Sequence, residues 1–264
     1  MGITRSLGLV AALLLVGSIG LAKSLQPEAT ADPFRIAGSV TLAPGQQLPD
    51  DADCVRRVIP AAPEIRPSNT VFNLTAGQRT APPGVFLHRV TGDFTGTTDE
   101  IIQWASCKWG IDTEVVRAQA AQESSWFMTS VGDFTSDESR CAPGHPPGAD
   151  GRPGCPESVG IMSVKYHYHS AAFPWAGWST AYNLDYALGV WRTCFEGEES
   201  WLADQPLESG YGRGDLWGCV GRWYSGDWRT AEALEYIGKV QAYMDGRVWT
   251  ETWFAELRAA TIAG

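Results

Sequence analysis

Glu123 falls where a helix would normally keep only apolar side chains. After Asp112, residues Val116, Ala120 and Phe127 fall at i, i+4 and i+11 of one helical stripe, and Glu123 falls at i+7 on the same stripe. A carboxyl on such a face points into the protein or into a cleft, where burial disfavours its charged form and raises its pKa. Kept protonated near neutral pH, it can donate its proton to a leaving oxygen, which is general-acid chemistry. The alternatives are a buried structural ion pair or a helix that ends before Glu123. A second polar group, Asn183, shares a stripe with Ala187, Val190, Trp191 and Cys194. If the acid needs a second carboxylate to activate water, Asp133, Glu157 and Asp227 are the candidates by position. Each also reads as an ordinary turn or solvated residue.

Six cysteines, Cys54, Cys107, Cys141, Cys155, Cys194 and Cys219, are the next reactive set. An even count in an exported chain reads as three disulfides. Cys141 and Cys155 flank a Gly/Pro-rich segment and are expected to pair, holding that loop near the cleft. Cys194 and Cys219 end and begin neighbouring helical segments, and Cys54 with Cys107 follows by elimination. There is no C-x-x-C, and the histidines are not spaced with Cys as zinc ligands are, so neither metal nor cofactor is expected. His167 and His169 would share a face on a strand, but read more simply as polar residues of a loop or short helix. Of 12 Trp, Trp104, Trp109 and Trp191 sit in helical patterns and read as core, whereas Trp126 and Trp223 lie beside the polar positions and are groove candidates.

These groups need helices to hold them. Thr98 is placed to cap a helix with Ile102, Ala105 and Trp109 on one face, ended by Gly110. Asp112 is placed to cap the next, with Ile111 and Val116 as a hydrophobic staple. Residues 128–158 read as one long loop. Ser179 is placed to cap a helix to about Cys194, and a short helix covers 214–224. Thr230 is placed to cap a helix to Asp245 with Leu234, Ile237, Val240, Gln241 and Met244 inward, and a last helix covers 249–260. Little of the chain alternates with period two, so the fold class is mainly α. Residues 23–97 read as a low-complexity arm or linker before a domain at 98–264, and Asn73-Leu74-Thr75 is a glycosylation sequon.

Taken in order, Glu123-Ser124, then Ser158-Val159-Gly160-Ile161-Met162-Ser163, then Tyr182-Asn183, then Trp223-Tyr224-Ser225-Gly226 form a set. It resembles the lysozyme-like catalytic domain of soluble lytic transglycosylases and goose-type lysozymes, over about residues 98–247. The resemblance implies a two-lobed helical domain with a sugar-binding groove, stapled here by disulfides, and peptidoglycan as substrate. It implies Glu123 as the catalytic acid and places Ser124, Gly160, Ile161, Met162, Ser163, Asn183, Trp223 and Tyr224 at the substrate. Ser163 stands where the family has Gln, and Trp223-Tyr224-Ser225-Gly226 replaces Y-N-x-G. The implied reaction cleaves the MurNAc–GlcNAc β-1,4 bond to a 1,6-anhydro product with one carboxylate. A goose-type-lysozyme-like hydrolase and a non-catalytic cell-wall binder on the same fold remain the alternatives.

Composition sets the outer limits. The chain has 264 residues, with 20 Lys and Arg against 30 Asp and Glu, a net charge of −10. That charge argues against nucleic acid, whose phosphates demand a basic face, and against electrostatic binding to an anionic membrane. Apolar residues are 44% and charged residues 19%, enough for a core. Arg5, the apolar run Leu7–Ile19 and Gly20-Leu21-Ala22 read as a signal peptide at 1–22, with an uncleaved anchor as the alternative. The expected location is secreted or associated with the cell wall or periplasm.

Overall fold

Side-chain caps fix where the main helices begin. The computed structural model describes Gly2 and residues 32–34, 39–74, 81–149, 151–204 and 210–258. In it α1 (Asp51–Arg57) starts where the Asp50 carboxylate accepts from the Asp53 N–H. α2 (Thr98–Trp109) starts at Thr97, which exchanges hydrogen bonds with Glu100 in a capping box and ends at left-handed Gly110. The cap is one residue earlier than expected because Thr98 is buried and its hydroxyl bonds to Glu64. α3 (Thr113–Ser124) starts at Asp112, as its sequence predicts.

Three strands follow, β1 (Val131–Thr135), β2 (Cys155–Val159) and β3 (Val164–Lys165). They form one antiparallel sheet in the order β1-β2-β3, with Val131 opposite Val159 and Val159 opposite Val164. This corrects the reading of 128–158 as a single loop. β2 shows no alternation because every one of its residues is buried. The excursion between β1 and β2 is closed by Cys141–Cys155.

The remaining helices are α4 (Tyr166–His169), α5 (Trp175–Trp178), α6 (Thr180–Phe195), α7 (Ser200–Ala203), α8 (Leu216–Ser225), α9 (Ala231–Asp245) and α10 (Thr252–Glu256). α6 and α9 start at the expected caps, Ser179 and Thr230. The inward face of α9 is Ala233, Tyr236, Ile237 and Val240, while Leu234 is 51% exposed, so the expected stripe is rotated. The helix expected over 249–260 is only α10, after a 3-10 turn at Val248–Thr250; its last two positions lie outside the described residues. The fold is mainly α with one small sheet and three disulfides.

α2 packs on α6, α3 on α9, and α9 on α8. Trp104, Trp109, Ile101, Ile102, Val116 and Leu184 are buried together in the core. Asp185, fully buried on α6, accepts from Lys108 Nζ at 2.8 Å, from Trp109 Nε1 at 2.7 Å and from the amides of Thr91 and Gly92. These bonds compensate its lost hydration. The described residues of the 23–97 segment belong to the same compact unit, residues 32–264, rather than to a loose arm. Phe34, Cys54, Ala62 and Val90 bury their few apolar groups in the shared core. Asn73, the asparagine of the sequon, is 5% exposed and donates to Glu64.

The disulfides are Cys54–Cys107, Cys141–Cys155 and Cys194–Cys219, as the sequence predicts. They join α1 to α2 and the end of α6 to α8. Such bonds fit a chain that matures in an oxidising, extracellular or secretory setting. No described helix is long and apolar enough to cross a membrane; the segment 1–22, Gly2 apart, lies outside the described residues. Cys54–Cys107 closes a separation of 53 residues, for which chain entropy gives roughly 4 kcal/mol of stabilisation. Replacing both by Ala should lower the urea-unfolding free energy by about that amount, and non-reducing peptide mapping should return the three pairs above.

Candidate active site

α3 ends abruptly one residue after Glu123. Ser125 and Trp126 are both left-handed, at φ 52° and 67°, so the helical stripe does not reach Phe127. The turn drops Trp126 into the core: it is fully buried, its Nε1 donates to the Arg117 carbonyl at 2.9 Å, and Phe34, Trp249 and Phe254 surround it. Trp126 is therefore not a groove residue. Two residues from the supposed arm satisfy the turn. Arg66 Nε donates to the Ser125 carbonyl and its Nη2 to the Phe254 carbonyl, each at 2.7 Å. Its guanidinium lies 4.5 Å from the Phe127 ring centroid and 4.4 Å from that of Phe254. Asn69 donates to the Trp126 carbonyl and accepts from the Met128 amide.

Asn183 organises the turn opposite. Fully buried, it donates to the carbonyls of Val159 and Ala176 at 3.1 and 2.7 Å and accepts from the Met162 amide at 2.9 Å. Gly160 is left-handed at φ +84°, and a Cβ there would sit 2.2 Å from Asn183 Nδ2, so only glycine fits. Ser124 Oγ donates to the Ile161 carbonyl at 2.8 Å, and Trp223 Nε1 donates to the Met162 carbonyl at 3.1 Å. Ser124, Gly160, Ile161, Met162 and Asn183, expected at the substrate, thus form the wall behind the site rather than its surface. Ser163, left-handed at φ 51°, carries the chain back out, and its Oγ donates to the Glu123 carbonyl at 3.3 Å.

The surface is a cleft of about 930 Å³ whose lining includes Glu123, Asp133, Ser163, Trp223, Tyr224 and Asp227. That size suits a small ligand or a segment of a polymer. Glu123 is half-buried at the cleft wall, and Tyr236 on α9 donates its hydroxyl to Glu123 Oε1. Burial pushes the Glu123 pKa up to about 7; the Tyr236 and Ser163 hydrogen bonds oppose this, and the Asp133 charge adds to it. Burial and Glu123 together hold the Tyr236 phenol well above its ordinary value, so it remains a donor. Tyr224 stacks on Tyr236 with centroids 4.7 Å apart and planes 3° from parallel. Tyr236 escaped the sequence reading; its spacing with Ala233, Ile237 and Val240 was the available signal.

Of the further carboxylates, Asp133 and Asp227 line the cleft and Glu157 does not. Asp133 and Glu157 fall at one rung of β1–β2, between the Gly132–Ser158 and Phe134–Pro156 pairs. Lys165 Nζ neutralises both, at 3.4 and 3.2 Å, and Arg140 approaches Glu157 to 2.6 Å. Glu157, 2% exposed, is thus a buried ion-pair residue and not a solvated one or a base. Asp133 also receives the Ser158 hydroxyl. His169, on the short helix α4, meets the Tyr186 hydroxyl at 3.0 Å and stacks on Trp223. Burial, with the Arg222 charge, pushes its pKa down to about 4, so it is neutral at ordinary pH. Among the described residues no three His, Cys, Asp or Glu side chains gather to hold a metal ion.

No family model matches the chain, and neither a curated protein nor a solved structure matches it. By its own geometry the site is a desolvated carboxyl at the wall of an aromatic cleft.

The Glu123 shift has a sign that stability measurements can read. Its carboxyl titrates near 4.5 unfolded and near 7 folded. Between those values the folded state holds the extra proton, so the carboxyl's cost to folding grows as pH rises through the window and persists above it. Glu123→Gln should therefore gain stability over wild type as pH rises from below 4.5 to above 7. Urea midpoints of the two proteins across that range check this; a difference that does not change with pH would contradict it.

Proposed function

We propose that this protein is a peptidoglycan lytic transglycosylase with a lysozyme-like, two-lobed groove, in which Glu123 is the general acid. The observation that carries the reading is the Glu123 carboxyl, open to the cleft yet held protonated near neutral pH by burial. The ordered resemblance from Glu123-Ser124 to Trp223-Tyr224-Ser225-Gly226 supplies the substrate class. In this reading β1, with Asp133, forms one wall and the end of α8, with Trp223 and Tyr224, forms the other.

The chemistry needs one carboxyl. Glu123 protonates the glycosidic oxygen as the C1–O bond breaks, and the substrate's own N-acetyl carbonyl oxygen bonds to C1. The Glu123 carboxylate then takes the proton of the sugar's 6-hydroxyl, whose oxygen displaces the carbonyl oxygen from C1. A 1,6-anhydro ring results, no water is consumed, and Glu123 is protonated again. The Tyr236 hydroxyl, donating to Glu123 throughout, steadies the carboxylate at the midpoint.

A second reading, hydrolysis, has its own support. Asp133 lies in the same cleft, and Ser158 and Lys165 hold it. A carboxylate so placed could draw a proton from attacking water, the role a one-carboxylate lyase does not need. Digesting cell wall in water labelled with heavy oxygen separates the two: an unlabelled anhydro end supports the lyase, and a labelled reducing end supports the hydrolase with Asp133 as base.

Glu123→Gln should keep the fold, checked by circular dichroism, while wall-clearing falls by a factor of at least ~10². Wild-type clearing should decline as pH rises through about 7. Near-wild-type clearing by the folded variant would overturn Glu123 as the acid. Binding of wall by the wild-type protein without clearing would mark a non-catalytic wall binder.

A further inference from the structure

The cleft has a second aromatic end, built on α7 and α8 around Trp201 and Arg222. Arg222, Trp223 and Tyr224 of α8 all line the cleft, and each leads to a different neighbour. Tyr224 stacks on Tyr236 beside Glu123, and Trp223 stacks on His169. Arg222 turns instead toward Glu199 and Trp201: its Nε lies 2.7 Å from Glu199 Oε2, and its guanidinium carbon lies 5.2 Å from the Trp201 ring centroid. Trp201 lines the same cleft from α7 and is 41% exposed.

This end is built, not incidental. Glu199 is only 7% exposed, and burying a carboxylate costs hydration that its ion pair barely returns. The pair holds the guanidinium in one place, and the guanidinium in turn supports the indole through a cation–π contact. A large aromatic face is thus kept open to the cleft. The apolar C–H face of a pyranose fits on an indole, and the N–H groups of an adjacent guanidinium suit its hydroxyl and amide oxygens. Glu199 already balances the Arg222 charge, so the site favours an uncharged sugar over an anion.

We propose that Trp201 and Arg222 form a further saccharide subsite of this cleft that holds an uncharged N-acetylated pyranose of the strand being cleaved at Glu123. The proposal rests on the glycan-cleaving reading and adds to it where the strand extends. The test uses the full chain carrying Glu123→Gln, so that ligand is not consumed, titrated calorimetrically with β-1,4-linked N-acetylglucosamine oligomers, a dimer and a hexamer. Adding Trp201→Ala should weaken hexamer binding about tenfold while dimer binding stays unchanged, which also shows that the variant is folded. Trp201→Phe should restore most of the hexamer affinity. Equal hexamer affinity with and without Trp201 would overturn the subsite and leave the role of Glu123 standing. No binding of any oligomer by the Glu123→Gln parent would overturn both.

Discussion

A carboxylic acid that gives away a proton near neutral pH must be dry enough to keep that proton and open enough to deliver it. The last turn of α3 meets both demands. Its flank is covered by α9, and Tyr236 from that helix closes on Glu123 Oε1. Burial then does most of the work on the pKa, and two hydroxyl donors limit it. The two demands oppose each other, so the balance depends on placing Glu123 within a fraction of the helix turn. Much of the surrounding structure serves that placement.

The supports are buried polar bonds rather than apolar bulk. Arg66 and Asn69 take up the backbone groups exposed when α3 stops at two left-handed residues. Asn183 does the same for the turn at Gly160–Met162, which through Met162 fixes Trp223 and through Ile161 fixes Ser124. Removing one partner of such a bond leaves the other buried and unsatisfied, which costs more than the bond itself contributes. The wall of the cleft is thus held by paired polar groups, and the Cys194–Cys219 disulfide ties the end of α6 to α8. Arg222, Trp223 and Tyr224, which line the cleft from α8, stand on that frame.

What was legible in the sequence was local. Caps at Asp112, Ser179 and Thr230 and the closing Gly110 act within a few residues, and all four fall where the pattern puts them. Glu123 was visible from the Val116–Ala120 spacing, although the same stripe wrongly extended to Phe127 because a left-handed turn leaves no periodic trace. Asn183 and Gly160–Met162 were found in the motif, but their burial behind the cleft was not, since a buried bonding role and a substrate-binding role look alike in a motif. Tyr236 and Arg66 were missed because their partners are remote: Tyr236 lies 113 residues from Glu123, and Arg66 lies 188 from Phe254. The sheet was missed because β2 is buried throughout and shows no alternation.

The central claim is that Glu123 carries a proton in the folded protein at pH values where an ordinary glutamate has lost it. Nuclear magnetic resonance of isotope-labelled glutamate carboxyl carbons reads this directly, with the Glu123→Gln spectrum identifying the signal. The account predicts a midpoint near 7, displaced from the ordinary 4.5. A midpoint at the ordinary value would contradict it, because a carboxyl already ionised in that range has no proton to donate to a leaving oxygen.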